Sequence, residues 1–253
     1  MFSSRCLLLL LLLCFQSLLL AESTQLREHL REAQVGDYFV ILSAKTETLM
    51  LIRDKNSKLL AIEEIAVPVQ RGPRSISWRE WVQKNAPGNT SWVMYDIDLD
   101  TGEMVRYYSF TKNGWYDIPE ADNFISKLLN LKLTLIPDDS RKRIGSKPAF
   151  GVDPRPIWQP RLVFEGQMIP KATFTAWKTR WPRDQSDLSG KMIEVYLPTS
   201  ECSAPSYFPY WVQIEGTIGN AKIRVIDSGK GLISQKPSLN QLMQNKGLFN
   251  EMN

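Results

Sequence analysis

Two triplets in the sequence have the composition of a catalytic pair: Asp100-Thr101-Gly102 and Asp227-Ser228-Gly229. Aspartic proteases bring two Asp-[Ser/Thr]-Gly loops together, so that two carboxylates share a proton and activate water. Val225-Ile226 gives the second triplet the apolar lead-in that such a loop uses, whereas Asp98 interrupts it before the first. Glu103 and Lys230 follow the glycines, where a small or hydroxyl residue is usual. Asp-x-Gly is also ordinary turn chemistry, because aspartate bonds its own backbone and glycine accepts positive φ. The reading is therefore two turns, with a paired-carboxylate hydrolase on Asp100 and Asp227 as the alternative.

Other chemistry finds little to stand on. Asp96, Asp98 and Asp100 alternate, so they share one face of a strand. Such a face could hold Ca²⁺, but the EF-hand spacing fails: Thr101 stands where glycine is needed and Tyr107 where glutamate is needed. A solvated strand face, eased by Arg106 across the hairpin, is expected instead. His29 and Cys202 are the only histidine and cysteine beyond the N-terminal run, short of the three or four ligands of a zinc site. Neither G-x-G-x-x-G nor G-x-x-x-x-G-K-[ST] occurs. No metal and no cofactor is expected.

Aromatic residues offer the better opening. Of eight tryptophans, Trp158, Trp177, Trp181 and Trp211 fall in the second half, with Tyr207, Phe208 and Tyr210. Such rings either fill the core of a large sheet or line a groove for a peptide, glycan or lipid chain. They are the candidate ligand-binding residues.

These side chains need a scaffold, and the hydrophobic pattern describes one. Leu26, Leu30 and Ala33 lie on one face of a helix over 24–34. Strands follow over 38–42, 46–53 and 58–67, and Ser77-x-x-Glu80 has the spacing of a capping box opening a helix over 78–84. Residues 91–110 form two β-rich runs around Asp100-Thr101-Gly102, a hairpin. A helix over 117–131 and a strand over 132–136 lead into 137–160, which holds five prolines and two glycines. That stretch reads as a long crossing loop or an internal boundary. Strands over 161–164, 172–180, 191–197, 211–215 and 221–227 and a helix over 238–246 complete the chain. The order, with no regular β-α-β alternation, predicts an α+β fold. Its sheet is curved and mainly antiparallel, with about ten strands, possibly a half-barrel, and three or four short helices packed on one face.

Residues 1–23 read as a signal peptide: Arg5, the apolar run 6–20, and Ala21-Glu22-Ser23 with the cut after Ser23. An uncleaved anchor, or a lipoprotein lipidated at Cys14, is the alternative. Residues 24–253 then form a single domain with one thiol and no intramolecular disulfide. The formal net charge is +4, and Arg141-Lys142-Arg143, with Lys147, is the only tight basic cluster. It is expected to be a solvated loop and not a nucleic-acid surface. No later segment is long and apolar enough to span a bilayer. The sequence points to a secreted or periplasmic, non-enzymatic protein that binds a hydrophobic or envelope component.

Overall fold

The computed structural model describes residues 22–118, 123–199, 203–215 and 221–244. The apolar N-terminal run with Cys14, and Cys202, lie outside the described residues. Strand β1 (Ser23–Thr24) leads into helix α1 (Leu26–His29), which continues as a 3₁₀ turn over Leu30–Glu32. A meander follows: β2 (Tyr38–Ser43), β3 (Thr46–Lys55) and β4 (Leu59–Pro68). Helix α2 (Trp78–Gln83) starts where expected, its Ser77 hydroxyl accepting the Glu80 N–H at 3.1 Å. The hairpin is β5 (Ser91–Asp98) and β6 (Met104–Ser109), flanked by β7 (Gly114–Trp115). Helix α3 (Asn123–Asn130) and β8 (Leu133–Leu135) precede the long loop. A small hairpin, β9 (Val163–Phe164) and β10 (Gln167–Met168), opens the second half. The strands β11 (Phe174–Arg180), β12 (Met192–Pro198), β13 (Trp211–Ile214) and β14 (Ala221–Gly229) follow, and 239–244 is helical.

Twelve of these strands make one antiparallel sheet, in the order β1-β8-β11-β12-β13-β14-β2-β3-β4-β5-β6-β7. The two halves are consecutive meanders joined where β14 pairs with β2, with Ser228 opposite Phe39. That order favours curvature. In a flat sheet, ten spacings of about 4.8 Å would set β7 and β8 roughly 48 Å apart. From Trp115 to Leu133 the connection has eighteen Cα steps, and with α3 helical it would reach about 47–50 Å only if every other residue were fully extended. The contacts of α3 show that the sheet curls instead, with α3 spanning the opening. Asn130 donates to the Thr101 carbonyl at the β5–β6 turn (2.7 Å). On the other side, Lys127 pairs with Asp184 at 2.8 Å and Phe124 stacks on Trp181 at 5.4 Å. The large inner core joins Leu26 and Leu30 of α1, Leu128 and Leu129 of α3, and inward residues from both halves of the sheet.

The helices do not all lie on one face, as the strand pattern alone suggests. Strands β2 to β5 are buried on both sides. Phe39, Met50, Ile62 and Tyr95 face the inner core, while Val40, Leu49, Ile65 and Trp92 face a second core. Trp78, Trp81 and Val82 of α2, with Leu232, cover that outer side. Two-sided burial also explains why the aspartate ladder is dry at its Asp96 end, while Asp98 is half-buried and Asp100 keeps the expected exposure. Asp96 is 1% exposed, ion-paired with Arg106, which also reaches Asn240 beyond β14. Replacing Leu128, 5% exposed under the curl, by alanine is expected to cost about 2–5 kcal/mol, read as a lower midpoint in urea unfolding.

Candidate functional site

Asp100 sits at the β5–β6 turn and does structural work there. Asp98 accepts the N–H groups of Asp100 and Thr101 (2.8 and 2.9 Å), and Gly102 closes the turn at φ +70°. The Asp100 carboxylate pairs with Arg31 at 2.5 Å, and its carbonyl accepts from Arg27 at 2.8 Å. The turn thus ties the 3₁₀ extension of α1 to the hairpin.

Asp227 has a different task. It is 7% exposed in β14, where its carboxylate accepts the N–H of Gly166 (3.0 Å) and of Ser228 (2.9 Å). Ser228 donates to the Val163 carbonyl (2.9 Å) and accepts from Tyr210 (2.8 Å), while its own carbonyl accepts from Glu165 (2.7 Å). The triplet docks the β9–β10 hairpin on β14. Gly229 closes it because a Cβ there would collide with the Tyr38 ring.

The register places Asp227 level with Val40, Leu49, Ile65 and Trp92. Asp100 is four strand spacings away, ~19 Å, and beyond the far end of β5, roughly 26 Å further along. The two carboxylates do not meet and share no partner, so no proton can be held between them. Gly229→Ala is expected to destabilise by about 1–3 kcal/mol through overpacking against Tyr38, measured by thermal unfolding.

The four tryptophans divide. Trp177 and Trp181 are 5% and 2% exposed in the inner core. Trp158 and Trp211 are half-buried at the margin of the same apolar cluster, and the register puts Trp211 and its neighbour Tyr196 on the face opposite Trp177. The Trp158 and Trp211 rings meet at 5.2 Å, and Trp158 meets Tyr196 edge-on at 5.3 Å. This cluster is the footing of the long loop. Trp158 N–H donates to the Lys142 carbonyl and Ile144 N–H to the Pro156 carbonyl, pairing the loop's two limbs.

The basic cluster is folded onto the sheet at Arg141–Arg143, while Lys147 is exposed as expected of a solvated loop. The Arg141 side chain is 7% exposed and donates to Gln159. Lys142 bridges Glu194 and Gln213 at 2.8 and 2.7 Å, and Arg143 donates to the Arg155 carbonyl at 2.6 Å. Glu194 and Gln213 are a cross-strand pair on the outer face, and this supplies the polar footing that draws the loop down.

Beyond this footing the loop rises free. Phe150 and Val152 are 94% and 93% exposed and Ile144 is 55% exposed. A side chain built on Gly145 or Gly151 would meet nothing within 4 Å. Asp153 holds the descending limb, its carboxylate bonded by Arg155 at 2.7 and 2.9 Å. The Arg155 guanidinium keeps that carboxyl at about 2, below its ordinary value. These tip residues escaped the sequence reading because Phe150 and Val152 follow no strand or helix period. Their signal was two apolar side chains between Gly145 and Pro154, where a loop usually carries polar ones.

Carboxylates also lie under the segment that follows β14. Glu63 is fully buried on the outer face of β4, where it accepts from Trp92 Nε1 and Ser234 Oγ, both at 2.6 Å. Arg53 Nε stands 3.6 Å away and its guanidinium donates to the Lys236 carbonyl. The Lys236 ammonium lies 4.4 Å from the Trp92 ring centre. Burial pushes the Glu63 carboxyl above its ordinary 4.5, against the pull of Ser234, Trp92, Arg53 and Lys236. Burial likewise raises Asp96 and Asp227. The folded state then binds these protons more tightly than the unfolded chain. Each such contribution is complete below the unfolded pKa and is lost as pH rises through the folded one. Glu63→Gln, compared with wild type by denaturant unfolding, is expected to gain relative stability between pH 5 and pH 8. A flat or falling difference over that interval contradicts the assignment.

An open antiparallel sheet of twelve strands curled around two short helices, with two more outside, defines the fold. The same fold occurs in a solved protein described as the hypothetical protein CT021 from Chlamydia trachomatis. The two share 22% identity and superpose with a TM-score of 0.60, covering 86% of this chain and 98% of that one. A family model described as CT021 protein matches residues 48–170, just under half of the chain, from within β3 to beyond β10. No curated protein matches the sequence. Among the described residues no group of three or more His, Cys, Asp or Glu is arranged to hold a metal ion. No described helix is long and apolar enough to cross a membrane.

Proposed function

We propose that this is an exported, non-enzymatic binding protein that engages an apolar envelope component through the tip of the loop crossing its outer sheet face. One observation carries the reading: Phe150 and Val152 stand almost wholly in solvent on a loop whose base is fastened by hydrogen bonds, an ion pair and packed tryptophans. Holding two large apolar side chains in water costs solvation free energy, about 1.5–3 kcal/mol each relative to burial, and a partner that covers them recovers it. The fastened base lowers the entropy lost on binding, since less of the loop must be ordered when contact is made. Export rests on the basic start and apolar run of residues 1–20.

The test uses the full chain in its producing cells. A photoreactive phenylalanine analogue replaces Phe150, and a second version carries it at the exposed Lys112 as control. Irradiation is expected to give adducts with envelope material from position 150 alone. Equal labelling from both positions, or none from either, would sink the reading. Alkaline phosphatase fused after Asn253 should be active, which requires export; an inactive, stably produced fusion contradicts it.

A further inference from the structure

We infer that the partner of the loop tip is the surface of an anionic lipid bilayer, into whose interface Phe150 and Val152 insert. This rests on the reading of the loop as a binding device and names its partner. The shape argues first. The two side chains stand on a projecting turn with open space around Gly145 and Gly151, so they form a finger and not a groove. A protein partner would have to offer a matching cavity, whereas a fluid interface closes around a finger of any outline. The depth is limited by chemistry. An irregular loop leaves backbone N–H and C=O groups that the hydrocarbon cannot satisfy, so the tip can enter the headgroup region but not span the bilayer.

Charge selects the lipid. Lys147 is exposed within the tip, three residues before Phe150. Arg143 and Arg155 stand on the limbs paired with Asp153, while Asp138 and Glu194 at the base pair with Arg141 and Lys142. On the outer face that the loop crosses, Lys178 and Arg224 are exposed and lie in the register rows of Glu194 and Trp211. The tip and its flank therefore carry more positive than negative charge, complementary to phosphate headgroups. Each cation near such a surface contributes about a fivefold change in partitioning, and the effect is screened by salt. Apolar insertion and cationic attraction act together on the same surface and support reversible attachment.

The experiment is co-sedimentation of the exported full-length protein with vesicles, either phosphatidylcholine alone or phosphatidylcholine with phosphatidylglycerol. Binding is expected on the anionic vesicles, weakening at high salt. The Phe150→Ser, Val152→Ser double variant should bind about tenfold or more weakly. Lys147→Ala should bind about fivefold more weakly on anionic vesicles and unchanged on neutral ones. Phe150 and Val152 support nothing in the folded protein, so the double variant should keep the wild-type melting temperature. Equal binding to both vesicle types, or full binding by the double variant, overturns the inference. If vesicles fail while the analogue at position 150 still labels a protein, the lipid partner is overturned and the binding loop stands. If both fail, the loop reading falls as well.

Discussion

The whole arrangement depends on how one connection bridges the sheet. Residues 116–132 carry the chain from β7, at one edge, to β8, next to the other, and across a flat sheet they would have to be almost fully extended. Curling relieves that demand. Once the sheet curls, its inward residues converge on a shared core, and α3 lies where both edges can be gripped. Asn130 holds the hairpin turn on one side, while Lys127 and Phe124 hold the β11–β12 side. Leu26 and Leu30 of α1 fill the same space, with Arg27 and Arg31 fastened to Asp100 at the rim.

The curl has an electrostatic consequence on the outside. The central strands acquire a second packed face, so outward positions that would be wet in a half-exposed sheet are roofed by α2 and by the chain after β14. Glu63 and Asp96 lie under that roof, each opposite an arginine. Removing one partner of such a pair strands a charge in a dry site, so the roof and the pairs hold one another in place. The second meander is treated differently. Its outer face is covered by a loop seated on Trp158, Trp211 and Tyr196, and this cover leaves a projecting tip.

Much of the scaffold was legible because strong local signals agreed with the fold. Ser77 caps α2, Asp100-Thr101-Gly102 turns the hairpin, and Leu26, Leu30 and Ala33 are buried together. The errors came from tertiary context that a local pattern does not carry. Alternation in 96–100 implied one wet face, but burial of Asp96 depends on residues some 140 positions later, such as Asn240. Arg141-Lys142-Arg143 resembled a solvated run because Glu194 and Gln213, which draw Lys142 down, are distant in sequence. The pairing of Ser23–Thr24 with β8 has too few residues to carry a period. For the candidate site, the four tryptophans pointed to the right half of the molecule, yet two fill the core and two support the loop. The residues left in solvent were a phenylalanine and a valine that no periodicity singled out.

The seam between β2 and β14 sets a schedule for synthesis. The first long strand finds its outer neighbour only when the chain has been made as far as Gly229. Until then β2 presents a row of unpaired backbone groups, flanked by Phe39 and Val40, to whatever surrounds it. A meander with one such edge is a template for pairing with another chain, and non-local closure of this kind is slow. The chain without its last strand is thus the vulnerable form, with β2 as its open edge.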